Sequence, residues 1–182
     1  MKKFLPFTLL FFILIFFQFN SLSSFRAEKK YTLSEYIEYF KPIAIKDMNR
    51  SGIPASITLA QAILESGYGN SALAIYANNH FGMKNKPEWQ GKTYYIGSTC
   101  YKKYNSALDS YEDHSKHIKS RKWYTSLFSL NITDYKKWAH GLKKAGYAQD
   151  PYYAYRLIQI IDKYKFHSLD SLYNPADTIL SK

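Results

Sequence analysis

Glu65 is the residue whose type and position most resemble those of a catalytic acid. Apolar residues recur at helical spacing from Ile57 to Leu64, and the pattern ends at Gly67-Tyr68-Gly69-Asn70, a glycine-rich helix exit. Glu65 is therefore predicted to lie in the last turn of a mostly buried helix. The negative end of the helix dipole and apolar neighbours both favour a protonated carboxyl group there, as a general acid for a glycosidic oxygen requires. The alternative is a solvated surface glutamate.

Several predicted helices and one short hairpin must position this residue. Thr32-Leu33-Ser34-Glu35 predicts a capping box that opens a helix, which Pro42 is expected to bend or split. Residues 93–104 are rich in Thr and Tyr around Gly97-Ser98, which predicts a β-hairpin. Three later helices are predicted to begin at Ser106, Thr133 and Asp150-Pro151, the second closed by Gly146 and the third facing inward through Tyr155, Ile158, Ile161 and Tyr164. This order predicts an α+β domain of two lobes, with a cleft suited to an extended polymer.

Composition and the N-terminus limit the class of protein. With 46% apolar and 21% charged residues in 182, the chain is not collagen-like, disulfide-rich or disordered. Its net charge of +11 favours a polyanionic partner, but no nucleic-acid-binding motif accompanies it, so nucleic acid is not expected. Cys100 is the only cysteine, which excludes an internal disulfide.

The first residues predict export. Met1-Lys2-Lys3 precedes an almost wholly apolar run from Phe4 to Phe19, and small residues follow. This predicts a signal peptide over residues 1–23, with an uncleaved anchor as the alternative. We expect one domain over residues 30–167 and an irregular tail over 168–182. The domain would act in the periplasm, the cell envelope or the medium, without stable membrane insertion after cleavage.

Several motifs, taken in order, resemble glycoside hydrolase family 73, the peptidoglycan N-acetylglucosaminidases of lysozyme-like fold. They are Gly52-Ile53-Pro54-Ala55, the segment from Leu59 to Gly69, Asn79-His80-Phe81-Gly82-Met83-Lys84, Trp89-Gln90-Gly91, Tyr104-Asn105-Ser106, Ser110-Tyr111, Ala145-Gly146-Tyr147-Ala148, Asp150-Pro151 and Tyr153-Ala154. The resemblance implies an endo-β-N-acetylglucosaminidase that needs no cofactor and hydrolyses the β-1,4 bond from N-acetylglucosamine to N-acetylmuramic acid. It implies Glu65 as the general acid and Tyr147 as the tyrosine that faces the reacting sugar.

Aromatic residues supply candidate sugar contacts. The expected substrate-binding residues are Tyr68, Asn79, Phe81, Trp89, Tyr95 and Tyr124. Strand residues alternate faces, so about half of the hairpin aromatics, which also include Tyr94 and Tyr101, could face the cleft while the others pack. The basic aromatic run from Arg121 to Tyr124 could hold muropeptide carboxylates, with core packing plus solvated charge as the alternative.

A second catalytic carboxylate is harder to place. Family members often carry one on the hairpin, but the segment from Lys92 to Tyr104 contains no Asp or Glu. Glu88 is the candidate, and a solvated helix face is the interpretation of the other nearby acids, Asp109, Glu112 and Asp113. Substrate assistance, in which the sugar's N-acetyl group is the nucleophile, is the favoured scheme.

Other functions remain open. A lytic transglycosylase and a non-catalytic peptidoglycan-binding protein of the same fold are the alternatives. His114 and His117 beside Asp113 lack the spacing of a zinc site, so no metal is expected. The sequence leaves the oligomeric state undetermined.

Overall fold

The structure, a computed structural model, describes residues 30–178; the predicted signal peptide and residues 179–182 lie outside this range. This part of the chain contains six α-helices and one antiparallel hairpin, which confirms the predicted α+β class. The elements are α1 (Leu33–Ser51), α2 (Ala55–Ser66), α3 (Ala72–Ala77), β1 (Thr93–Ile96), β2 (Thr99–Lys102), α4 (Ala107–Ser120), α5 (Tyr135–Lys144) and α6 (Tyr153–Tyr164), with 3₁₀ helices at Lys122–Ser129, Phe166–Leu172 and Pro175–Thr178. Between residues 30 and 178, no helix is both long and apolar enough to span a membrane.

The first helix begins at the predicted capping box. The Thr32 hydroxyl accepts the Glu35 N–H at 3.3 Å, and the Glu35 carboxylate accepts the Thr32 N–H at 2.8 Å. Pro42 does not split the helix, which continues to Ser51. Core residues on both sides of this proline, including Phe40 and Ala44, are buried, so packing outweighs the lost hydrogen bond.

The central helix α2 is capped by a residue far away in the sequence. Pro54 stands at its N-cap and makes no side-chain cap. Instead the buried Asp170 carboxylate accepts the Ser56 N–H at 2.9 Å and the Ser56 hydroxyl at 2.6 Å. The irregular tail predicted from residue 168 is therefore wrong here: the Phe166–Leu172 helix packs on α2 and places an acid at its positive end.

The two last helices begin later than predicted. Asp134, not Thr133, caps α5, because its carboxylate accepts the Lys137 N–H at 3.1 Å while Thr133 bonds to Asn131. Pro151 is not the first residue of α6, since Asp150 accepts the Tyr152 N–H and holds a turn. The inward face of α6 consequently shifts to Tyr153, Ala154, Leu157 and Ile161, and Tyr155 is exposed.

The hairpin is confirmed and is attached to the helical part by Asp113. Tyr94 pairs with Tyr101 in the antiparallel register, and Gly97 supplies the left-handed turn residue. The Asp113 carboxylate of α4 accepts hydrogen bonds from the Lys102 ammonium at 2.9 Å and from the Tyr104 hydroxyl at 2.7 Å. Asp113 is thus part of an ion-paired network, which corrects its interpretation as a solvated surface acid.

Candidate active site

Glu65 lies in the last turn of α2, one residue before the helix ends, as predicted. Its side chain reaches the protein surface, but surrounding groups exclude water from one side of the carboxyl. This partial burial raises the pKa of Glu65 above its ordinary value, and a hydrogen bond from the Tyr153 hydroxyl acts in the opposite direction. The carboxyl group is thereby shifted towards the protonated state that proton donation needs.

The turn after Glu65 has an unusual backbone. Gly67, Tyr68 and Gly69 follow one another with φ angles of 56°, 44° and 81°, all in the left-handed region. For Tyr68 this conformation costs about 1 kcal/mol or more, and it is retained because the surroundings enforce it. The Ser66 hydroxyl donates to Ala62 O at 2.6 Å and accepts the Gly69 N–H at 2.8 Å, which ties the turn to the helix. The turn exposes Tyr68, 40% accessible, three residues after Glu65.

Gln61 and Tyr153 form a buried support for Glu65. Gln61 lies one turn earlier on α2, and its side-chain amide donates to the Tyr153 hydroxyl at 2.9 Å. Because this hydroxyl accepts from Gln61, its own proton is available to Glu65. No site role for either residue was predicted from the sequence. The available signals were a polar residue four positions before Glu65 in an apolar helix, and the Tyr153-Ala154 motif.

Tyr147 is brought beside this support. Its ring stacks on that of Tyr153, with centroids 5.5 Å apart and planes inclined by 23°. Burial first, and then the charges of Tyr153 and Glu65, raise the pKa of Tyr147 well above its ordinary value. Its phenol therefore stays protonated at neutral pH, and the structure brings together the two residues for which the sequence predicted catalytic roles.

His114 makes a hydrogen bond to the Tyr147 hydroxyl. Its Nε2 is 3.0 Å from the Tyr147 oxygen, and its ring stacks on Phe81 at 3.9 Å. Burial lowers the pKa of His114 to about 3, so the imidazole is neutral. Among the described residues its Nδ1 has no hydrogen-bond partner. A buried N–H without an acceptor is rarer than an unused lone pair, which favours the tautomer in which Nε2–H donates to Tyr147. The Tyr147 proton is then directed away from His114, and the Tyr153 hydroxyl is one acceptor within its reach.

The predicted substrate-binding residues divide into an exposed set and a buried set. Tyr68 and Tyr95 are exposed, the latter by 64%, and Trp89 is half-buried, with its indole N–H donating to Lys92 O at 2.9 Å. These three present ring surface to solvent. Only they have positions from which aromatic stacking on a sugar is possible without rearrangement.

The buried set supports the site from beneath. Asn79 donates to Met83 O and Lys102 O, both at 2.9 Å, and its own oxygen accepts the Met83 N–H. Phe81 lies under His114, and the buried Tyr124 ring is 6.4 Å from that of Tyr147. Because all three side chains are at most 5% exposed, their positions support a structural role rather than the predicted contact with substrate.

The acidic residues near the hairpin are placed as follows. Glu88 is exposed on the segment before Trp89. Asp109 belongs to the α4 capping box, where it accepts the Ser106 N–H at 3.1 Å, and Asp113 is ion-paired. Within residues 30–178 no group of three or more His, Cys, Asp or Glu side chains is arranged to hold a metal ion.

Comparison with known proteins identifies the family. The glucosaminidase family model, described as mannosyl-glycoprotein endo-β-N-acetylglucosaminidase, matches residues 41–166. The chain is 36% identical over 135 residues to the exo-glucosaminidase LytG of Bacillus subtilis, covering 66% of this chain and 47% of that protein. It is 27% identical over 143 residues to the peptidoglycan hydrolase FlgJ of Vibrio parahaemolyticus, covering 70% and 46%. The chain thus spans about half the length of these curated relatives.

Solved structures agree with this assignment. The glycoside hydrolase domain of FlgJ from Salmonella typhimurium superposes with a TM-score of 0.65 at 26% identity, over 76% of this chain and 91% of that domain. The chain therefore belongs to the glucosaminidase family, glycoside hydrolase family 73, which its motifs resemble.

Proposed function

We propose that the protein hydrolyses the β-1,4 bond between N-acetylglucosamine and N-acetylmuramic acid in peptidoglycan. The observation that carries the proposal is the placement of the Glu65 carboxyl, with a raised pKa, beside the protonated Tyr147 phenol. The names of the relatives, an exo-glucosaminidase and peptidoglycan hydrolases, support this substrate class. Cleavage within strands, as an endo-enzyme, is part of the proposal.

Glu65 acts as the general acid. In its protonated form it donates to the glycosidic oxygen as the bond to C1 of N-acetylglucosamine breaks. The released muramic acid hydroxyl carries that proton away, and Glu65 is left as a carboxylate. Because protonated Glu65 is required, activity is expected to fall as the pH rises through its raised pKa.

The N-acetyl group of the substrate serves as the nucleophile. Its carbonyl oxygen attacks C1 as the leaving group departs, which gives a cyclic oxazolinium intermediate. Water then attacks C1, ionised Glu65 accepts a proton from that water, and the N-acetyl group is restored. This scheme suits a chain in which Asp109 and Asp113 are already engaged in a helix cap and an ion pair.

Tyr147 orients the acetamido group and stabilises the charged intermediate. His114 donates to its oxygen, so the phenolic proton points to other acceptors: the Tyr153 hydroxyl in this structure, and the acetamido oxygen of a bound substrate in its place. The ring stacks on that of Tyr153, whose hydroxyl hydrogen-bonds to Glu65. This preorganisation needs no rearrangement when charge develops at C1.

The place of action follows from the substrate. A peptidoglycan hydrolase works in the cell envelope, and we propose export through a signal peptide over residues 1–23. Determining the N-terminus of the mature protein tests this segment: a start near residue 24 is expected, and an intact Met1 on membrane-bound protein would identify an anchor instead.

Digestion of purified peptidoglycan tests the activity. The protein and its Glu65→Gln variant are incubated with the polymer, and the products are reduced with borohydride and weighed by mass spectrometry. Reduced N-acetylglucosamine ends made only by the unmodified protein are expected. Anhydro ends would identify a transglycosylase, and the absence of cleavage would identify a binding protein. Long fragments at early times are expected of an endo-enzyme, whereas release of terminal units alone would make it an exo-enzyme.

A further inference from the structure

The net positive charge of the described residues comes from one stretch of sequence. Residues 114–149 contain eight Lys and Arg residues but a single acid, Asp134. The rest of the described range, 30–113 and 150–178, contains twelve basic and twelve acidic residues. The excess charge is therefore localised, although the overall composition alone would allow it to be spread over the surface.

This stretch forms one packed region. It comprises the second half of α4, the 3₁₀ helix 122–129 and α5. The His117 and Tyr124 rings join the first two pieces at 6.3 Å, and the Phe128 and Trp138 rings join the last two at 5.5 Å. We call this part of the molecule the basic region.

Five lysines of the basic region project into solvent. They are Lys116, Lys119, Lys122, Lys136 and Lys144. Within residues 30–178 none of these five forms an ion pair, whereas Lys137 is paired with Asp134 at 2.7 Å and Lys143 donates to two carbonyl oxygens. Lys136 and Lys144 share one stripe of α5 with His140, opposite the buried Trp138. Lys116 and Lys119 lie three positions apart on α4, where like charges repel one another, and an anionic partner would relieve that repulsion.

The basic region borders the active site. His114, at its start, contacts Tyr147, which follows its last helix, and the buried Tyr124 ring lies 6.4 Å from the Tyr147 ring. The basic region and the active site therefore share the residues that hold Tyr147 in place.

We propose that the basic region binds the acidic peptide side chains of the same peptidoglycan strand that the active site cleaves. This inference rests on the proposed function and names the form of substrate: glycan that still carries its peptides. Free carboxylates on the peptides match the exposed ammonium groups, and a strand with repeated peptides offers several at once. A carboxylate-bearing partner is favoured over a lipid surface or a phosphate polymer because the region shares residues with the sugar site.

Binding without catalysis tests the inference. The Glu65→Gln protein is incubated with purified peptidoglycan freed of phosphate polymers, and the bound fraction is measured by sedimentation. A Lys116→Gln, Lys119→Gln, Lys122→Gln triple variant in this background is expected to bind about tenfold more weakly, the sum of three exposed charge pairs of ordinary strength. The difference is expected to fade at several hundred millimolar salt.

A matched control removes the same charge elsewhere. Lys30, Lys46 and Lys165 are also exposed but lie outside the basic region, and their combined change to Gln is expected to alter binding less than twofold. Chitin, an uncharged polymer of N-acetylglucosamine without peptides or muramic acid carboxylates, is expected to bind the Glu65→Gln protein and its basic-region variant equally.

Three results would overturn the inference. They are equal losses in the two triple variants, a loss that persists on chitin, and lysine-dependent binding only to anionic vesicles or to a phosphate polymer. Because binding is measured without hydrolysis, failure of this inference is distinguishable from failure of the proposed cleavage.

Discussion

Replacement of Asp170 by Asn is expected to raise the free energy of unfolding above that of the unmodified protein, and to do so more at neutral pH than at acidic pH. Asn retains an oxygen for the Ser56 N–H and offers an amide donor to the Ser56 hydroxyl, so the cap of α2 survives. What the variant lacks is the carboxylate charge. Burial raises the pKa of Asp170 from 3.8 to about 6.

The sign follows from proton linkage. Below pH 3.8 the acid is protonated in both the folded and the unfolded chain, and its charge costs nothing. As the pH rises from 3.8 to about 6, the unfolded chain loses this proton more readily, and the folded protein loses stability. A shift of about two units corresponds to about 3 kcal/mol of unfolding free energy, or roughly 6 to 12 °C in Tm.

Urea denaturation at pH 4 and pH 7.5 measures the effect. The unfolding free energy of Asp170→Asn minus that of the unmodified protein is expected to increase by about 2.4 kcal/mol between the two conditions, because the acid of the unfolded chain is already partly ionised at pH 4. Glu38→Gln is the matched control, because Glu38 is an exposed acid paired only with Lys41, and its difference is expected to change by less than about 0.5 kcal/mol. A difference for Asp170→Asn that stays constant with pH would refute the reasoning.

Three further substitutions test the site and the turn that presents it. Tyr147→Phe is expected to lower kcat about 100-fold with little change in KM, measured by steady-state release of reducing ends, and an unchanged kcat would remove Tyr147 from the mechanism. Gly69→Ala is expected to lower the free energy of unfolding by about 2 kcal/mol or more in urea denaturation, because φ is 81° and a Cβ would approach the Tyr36 ring to 2.8 Å. The control Gly97→Ala, where φ is also positive but the space is open, is expected to cost about 1 kcal/mol. Equal costs would exclude the steric contribution at Gly69. Glu88→Gln is expected to retain activity within about twofold under substrate assistance, whereas a loss near 100-fold would identify it as a catalytic carboxylate.

The sequence by itself determined the features that depend on neighbouring residues. The Thr32 capping box, the end of α2 at Gly67 and the hairpin turn at Gly97 each require residues only a few positions apart. The end of α2 also placed Glu65 in its last turn. The cap of α5 was wrong by one residue, because Thr133 and Asp134 are both good caps and only the local turn with Asn131 decides between them.

The tertiary structure alone decided how Glu65 is supported. Gln61 and Tyr153 are 92 residues apart, and His114 and Tyr147 are 33 apart, so no local pattern brings either pair together. The packing of α5 and α6 on α2, and of α4 on α1, does so. The family resemblance indicated Tyr147, but it could not provide its contact with a neutral, buried His114.

The N-terminal cap of α2 is the feature that depends most clearly on tertiary structure. Pro54 offers no side-chain acceptor, and the acceptor comes from Asp170, 114 residues further along the chain from Ser56. The sequence determined each segment's local propensity, because capping, turns and helical periodicity act over a few residues. The site and its supports depend on which segments pack together, and that follows from burial of the whole core rather than from any short stretch of residues.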